Sequence, residues 1–162
     1  SNDLQHEIRR RFQLGEASAP ALTITSFGFA RGLPRNADLV FDMRYLRNPH
    51  WDAKLKPGTG LDADVAAYVM ADPAYENSVA QIEKLILTLL PRYRVEGKSY
   101  VTIAFGCTGG RHRSVHVAAR VAQKLRASGY EPVLTHRNLD SAPQDGLEGK
   151  PPPAPSAATG KT

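Results

Sequence analysis

Tyr100-Val101-Thr102-Ile103-Ala104-Phe105-Gly106-Cys107-Thr108-Gly109-Gly110-Arg111-His112-Arg113-Ser114 decides the fold. Its first six residues are β-branched, aromatic and small, as in a buried strand. Gly109 and Gly110 then break the chain. From Ser114 the residues Val115, Ala118, Ala119, Ala122 and Leu125 recur at helical spacing as far as Ala127, with Gly129 as the stop. A strand that runs through a glycine turn into a helix presents backbone N–H groups and the positive end of the helix dipole to an anion. Thr108 and Ser114 add hydroxyl donors, Arg113 adds a planar fork, and Arg111 and His112 add further donors. Cationic side chains at a helix start oppose the dipole, and a bound anion relieves the conflict. The alternative is a glycine turn required only for tight strand–helix packing.

The loop lacks the Lys-Ser/Thr ending of a Walker motif. Cys107, five intervening residues, Arg113 and Ser114 do reproduce the spacing of cysteine-dependent phosphatases, with Asp52 as a candidate general acid. Gly106 stands where those enzymes usually place a histidine. His112 and His116 have the i, i+4 spacing of a metal pair, but Arg111, Arg113 and Arg120 would repel a cation, so no metal is expected.

Working outward, Ala21 to Phe27 alternates apolar and polar residues as a strand does, and Leu39 to Arg44 reads as a second, short strand. Gly28, Gly32 and Pro34 mark the loop between them. Arg47-Asn48-Pro49-His50-Trp51-Asp52 is a loop dense in functional side chains. Asp62 caps a helix running to about Met70. A longer helix is expected from Asn77 to Leu90, with Val79, Ile82, Leu85, Ile86, Leu89 and Leu90 on one face and Pro91 closing it. Glu131 to His136 is a last strand. Alternating strands and helices give an α/β architecture with a mostly parallel sheet, in which ligands sit beyond the strands' carboxyl ends. The Arg47–Asp52 and Gly106–Arg113 loops can therefore face one pocket.

The 162 residues are one domain's worth, 41% hydrophobic and 23% charged. No apolar run is long enough to span a membrane, no secretory core opens the chain, and one cysteine cannot make an internal disulfide, so a cytoplasmic protein is expected. Ser1 to Leu14 reads as a short helix with Leu4, Ile8 and Phe12 on one face. Residues 141–162, rich in Pro and Ala, are expected to be disordered. The tail's Lys150 and Lys161 balance Asp145 and Glu148, so the net charge of +5 belongs to the folded part. Arg113, His116, Arg120 and Lys124 fall on one helix face, and Arg31, Arg44, Arg47, His136 and Arg137 come from other segments. Such cations suit phosphate backbones, although charged helix faces are usually only solvated surface.

Ser26-Phe27-Gly28-Phe29, the long run Asp38 to Asp52, Thr59-Gly60-Leu61-Asp62, Gly106 to Ser114 and His136-Arg137 together resemble the C-terminal domain of the RapZ (YvcJ-like) family. The resemblance spans roughly Thr25 to Leu139 in order. It implies residues 17–140 as this domain, similar to a phosphofructokinase subdomain, and residues 1–16 as a linker helix from an N-terminal P-loop domain that would hold ATP or GTP. It implies a regulatory adapter rather than an enzyme, without a cofactor of its own, that binds glucosamine 6-phosphate or UDP-N-acetylglucosamine and couples cell-envelope precursor supply to RNA processing. The implied phosphosugar site is His50, Thr108, Gly109, Gly110, Arg111, His112, Arg113 and Ser114. RNA contacts are expected from Arg31, Arg44, Arg47, Arg120, Lys124, His136 and Arg137. The implied partners are small RNA, an endoribonuclease or two-component proteins, and further copies in a homodimer or homotetramer. The sequence departs from the enteric members in its neutral Pro/Ala-rich tail, where they end in basic residues, and in Ala30, where a lysine is expected. Two alternatives stand beside this expectation: a phosphatase using Cys107 and Arg113, and an RNA-binding module without metabolite sensing.

Overall fold

The computed structural model describes residues 19–143 and 145–149. The expected helix at Ser1–Leu14 and most of the expected tail lie outside these residues. β1 (Ala21–Gly28), β2 (Leu39–Asp42), β3 (Tyr100–Cys107) and β4 (Val133–His136) form one sheet in the order β2-β3-β1-β4. Every pairing is parallel. β1 and β3 pair along their whole length, from Ala21 opposite Tyr100 to Gly28 opposite Cys107. The mixed α/β layer with a parallel sheet read from the sequence is the fold observed. Short 3-10 turns follow β1 (Phe29–Arg31) and precede the helices (Pro49–Trp51). The helices are α1 (Ala63–Met70), α2 (Tyr75–Glu96), α3 (Arg113–Ala127) and the single turn α4 (Asp145–Glu148).

β1 is an interior strand, and this changes the meaning of its alternation. Thr25 and Ser26 are buried together with Ile24 and Phe27. Their hydroxyls are satisfied by β4. Thr135 Oγ1 donates to Thr25 Oγ1 at 3.0 Å, and Ser26 Oγ is hydrogen-bonded to His136 Nδ1 at 2.7 Å. A buried polar residue is tolerated where a partner is built for it. α3 packs its Val117, Ala118, Val121, Ala122 and Leu125 against the core, joined from α2 by Val79, Ile86 and Leu90.

Four local expectations are corrected. α2 does not stop at Pro91 but continues to Glu96, where Gly97, at φ 89°, makes the left-handed cap. Proline removes one N–H, and the helix formers beyond it, with the partly buried Tyr93, carry the helix on. Leu85 is 45% exposed, and Tyr75 and Glu83 occupy the buried face instead. Asp62 sits at the N-cap of α1, yet its carboxylate accepts from the Thr59 N–H (2.8 Å) and tightens the preceding turn. β2 ends at Asp42, because Asp42 and Arg44 pair at the surface and bend the chain away.

Candidate functional site

The loop after β3 is held from beneath by β1. Gly28 and Gly110 touch through their backbones: a Cβ on Gly28 would lie 2.5 Å from the Gly109 carbonyl carbon, and one on Gly110 would lie 2.6 Å from the Gly28 nitrogen. Gly110 also takes φ 80°. No other residue type satisfies both demands. The Ala30 N–H donates to Thr108 O (3.1 Å), and the Gly28 N–H donates to Asn138 Oδ1 (2.8 Å). Gly60 brings a second loop against the start of α3, where its N–H donates to Arg111 O at 2.8 Å.

On this base sits a cavity of about 710 Å³, lined from four segments by Arg44, Tyr45, Leu46, Arg47, Asn48, Trp51, Tyr68, Asp72, Thr108, Arg113 and Glu148. It lies at the carboxyl ends of β2 and β3, where a parallel sheet collects ligand-binding loops. Arg113 opens α3, a helix without a side-chain cap at its N-terminus. The arginine is 4% exposed. Its Nη1 donates to the carbonyls of Arg44 (2.6 Å) and Leu46 (3.2 Å), and its Nη2 donates to Thr108 Oγ1 (3.4 Å). Among the described residues Nε makes no hydrogen bond. The fork is thus fixed by backbone carbonyls, which do not neutralise its charge, and the nearest carboxylate, Glu148 Oε2, stands 3.7 Å from Nη2.

The walls combine cations with aromatic faces. The Arg47 guanidinium lies 4.1 Å from the Tyr68 ring centre, and that of Arg44 lies 4.1 Å from Phe29. Asn48 is held in place, its Oδ1 accepting from the His50 N–H at 3.1 Å. The His50 ring stands edge-on to Trp51 at 4.7 Å. Asp42, bridged by Arg44, is held below the usual carboxylate range chiefly by the hydrogen bonds from that guanidinium.

Of the sequence-derived phosphosugar set, Thr108 and Arg113 line the cavity and Gly109 borders it against Glu148. Gly110 is the backbone contact with Gly28. Arg111 is turned away as a clamp, with Nη1 donating to Leu139 O (3.0 Å) and Ser141 O (2.6 Å), and Nη2 to Pro57 O (3.0 Å) and Gly58 O (3.1 Å). His112 is buried, its Nε2 hydrogen-bonded to Lys56 O at 3.1 Å, and burial holds its imidazole below the ordinary histidine value. Ser114 is fully buried, and His50, also buried, is edge-on to Trp51 and is not among the lining residues.

The cations expected to meet RNA divide into separate places. Arg44 and Arg47 belong to the cavity. Arg31 is exposed, and Arg137 bonds the Gly32 carbonyl nearby at 3.2 Å. His136 is held by Ser26. On α3, Arg113 faces inward rather than joining a surface stripe, and Arg120 is bonded to Glu76 (2.8 Å) and Glu83 (3.1 Å). Lys124 remains exposed. Cys107 is 3% exposed and does not line the cavity. Among the described residues no group of three or more potential ligands could hold a metal ion. No helix among them is long and apolar enough to cross a membrane.

Sequence reasoning missed Tyr68, Asp72 and Glu148 at this site. Tyr68 and Asp72 sit at the end of an amphipathic helix, where an aromatic and an acid carry no motif. Glu148 lies in a segment whose composition promised no structure, yet Asp145–Glu148 forms a helical turn there.

A small parallel α/β domain with an arginine-floored cavity at its strand ends is the class that fold and site define. Residues 20–140 match the RapZ C-terminal domain, and the chain belongs to that family. It is 81% identical over 160 residues, 99% of its length, to a nucleotide-binding protein of Sphingopyxis alaskensis, of which it covers 51%. It is 58% identical over 139 residues (86% of the chain and 44% of the relative) to a nucleotide-binding protein of Rhizorhabdus wittichii. A nucleotide-binding protein of Zymomonas mobilis is 52% identical over 139 residues, 86% of the chain and 43% of the relative. The chain thus spans about half the length of the curated relatives it matches.

Proposed function

We propose that this domain is a cytoplasmic sensor that binds a phosphorylated amino sugar, glucosamine 6-phosphate or UDP-N-acetylglucosamine, without a cofactor of its own. Occupancy is passed to RNA, to a protein partner such as an endoribonuclease or two-component protein, or to an attached nucleotide-binding domain, in a homodimer or homotetramer. The observation that carries this reading is Arg113, pinned under the cavity with its charge directed past Thr108. A guanidinium so placed suits a phosphoryl group. Trp51 and Tyr68 bring aromatic rings to the cavity for a sugar ring or a base, and Asn48 brings an amide whose Nδ2 donates to Glu148 Oε2. Calorimetry with both ligands tests it. Binding of at least one, lost in Arg113→Ala, is expected; no binding of either at about millimolar concentration, near the weak end of specific recognition, would remove the reading.

RNA binding is favoured by Arg31, Arg44, Arg47 and Arg137 in the loops at the carboxyl edge of the sheet. A mobility shift that weakens with salt and with loss of Arg47 and Arg137 is its expected signature.

A further inference from the structure

The cavity already holds an anion of the chain's own. Glu148 Oε2 accepts from Asn48 Nδ2 at 3.0 Å and lies 3.7 Å from Arg113 Nη2. Glu148 Oε1 lies against the glycine loop, 2.8 Å from where a Cβ on Gly109 would stand. The carboxylate is largely buried, with 9% of the side chain exposed. The segment that delivers it is anchored at its root. Arg111, in the glycine loop itself, donates to the carbonyls of Leu139 and Ser141, and Asn138 Oδ1 accepts from the Gly28 N–H. Glu148 follows Ser141 by only seven positions in the sequence.

We propose that Glu148 is a tethered competitor: its carboxylate occupies the position that a ligand's phosphoryl group takes, and phosphate binding displaces the Asp145–Glu148 turn. The inference rests on the sensor reading and adds to it a means by which occupancy alters the chain outside the pocket. Two features of the chemistry support displacement. A phosphoryl dianion carries more charge and more acceptor oxygens than one carboxylate, so Arg113 favours it once it is present. Arg113 Nη2 meets Glu148 at 3.7 Å, longer than a charge-assisted hydrogen bond, so the tethered group satisfies the fork incompletely. A Gly at 109 gives the loop room for either occupant.

Apparent ligand affinity is the intrinsic affinity reduced by the fraction of molecules whose site is open. Removing the carboxylate therefore tightens binding. The test compares the full 162-residue chain with Glu148→Ala and Glu148→Gln, titrating inorganic phosphate and glucosamine 6-phosphate by calorimetry. Glu148→Gln keeps the size and the hydrogen bond to Asn48 while removing the charge. Both variants are expected to bind inorganic phosphate at least about tenfold more tightly, as for a site closed about nine-tenths of the time. Equal affinity in variants and parent overturns the competitor and leaves the sensor reading standing. Weaker binding of glucosamine 6-phosphate with phosphate unchanged also overturns it, and makes Glu148 a partner for the sugar's ammonium group. Tighter phosphate with no glucosamine 6-phosphate bound by any form supports the competitor and removes that sugar as ligand. Neither phosphate nor glucosamine 6-phosphate bound by parent or variants overturns the competitor, and the sensor reading falls with it when UDP-N-acetylglucosamine is not bound either.

Discussion

The thiol of Cys107 and the hydroxyl of Ser114 lie 3.1 Å apart, both buried, where β3 meets α3. The hydrogen bond ties the last residue of the strand to the first turn of the helix and so closes the glycine loop. Neither group lines the cavity. Cys107→Ser preserves a donor and acceptor at this place. Phosphate binding is expected to change by less than about 0.5 kcal/mol, and a chromogenic phosphomonoester to remain uncleaved by parent and variant alike. Turnover by the parent that disappears in Cys107→Ser would make the thiol a nucleophile and the domain an enzyme.

Arg113→Ala removes the donors to the Arg44 and Leu46 carbonyls and to Thr108 Oγ1, together with the charge that faces Glu148. Hydrogen bonds from a charged group are worth about 1.5–3 kcal/mol each, so ligand affinity is expected to fall by more than about tenfold. Arg113→Lys keeps the charge but cannot span two carbonyls and a phosphate together. Its affinity should fall between parent and alanine variant when the three are titrated side by side.

Gly110→Ala places a Cβ against the Gly28 nitrogen and the Phe27 carbonyl carbon, and forces φ 80° on an L side chain. Backbone strain of this kind costs about 1–3 kcal/mol, and overpacking adds to it. A lower Tm together with lost phosphate binding is expected. Gly129→Ala is the control, since its φ is 95° but nothing lies within reach of an added Cβ. It should lower Tm less and leave binding intact.

Acid should destabilise the domain before any carboxylate of ordinary pKa titrates. Burial holds the imidazoles of His112, His116 and His136 below the ordinary value of 6.5, and the Arg120 charge adds to the effect at His116. On unfolding, each returns to 6.5. As pH falls through that value the unfolded chain takes up protons that the folded chain still refuses, so stability drops. Thermal melts between about pH 8 and pH 5 should show Tm constant at the alkaline end and declining below about 6.5. His116→Gln, which keeps a partner for the Tyr75 hydroxyl, should flatten the decline.

Arg120→Ala is expected to act on the fold rather than on ligand. It leaves Glu83, whose side chain is 6% exposed, without its guanidinium, at a cost of about 1–3 kcal/mol. Denaturant titration should show the loss, and Glu83→Gln made in addition should recover part of it. Phosphate binding should be unchanged in both.

The parallel α/β fold was legible because buried strands and amphipathic helices leave different periods in sequence, as Tyr100–Phe105 and the helix after it do. Thr108 and Arg113 were legible for a different reason: glycines beside cations at a helix start have few physical uses. What stayed hidden was direction. Arg111 and Arg113 are two residues apart and chemically the same, yet one clamps Pro57, Gly58, Leu139 and Ser141 while the other floors the cavity. Only the loops that come to meet them decide which. The same applies to Arg120, which sequence placed on a basic face and whose acidic partners arrive from α2. Glu148 was invisible because its meaning depends on a contact with Asn48 a hundred residues earlier.

β1 and β3 run side by side for eight residues, about 26 Å at the rise of an extended strand. The arginine-floored cavity stands at one end of that span, while Ala19 and Pro20 enter at the other, where the Ala21 N–H meets Ser99 O. Ala19 and Pro20 are therefore separated from the cavity by the full height of the sheet. Asn138, Leu139, Ser141 and Glu148, by contrast, are bonded to the glycine loop or to Gly28 beneath it, or line the cavity itself. If Glu148 yields its place to a phosphate, the backbone that moves is joined to the cavity's rim, a sheet's height away from Ala19.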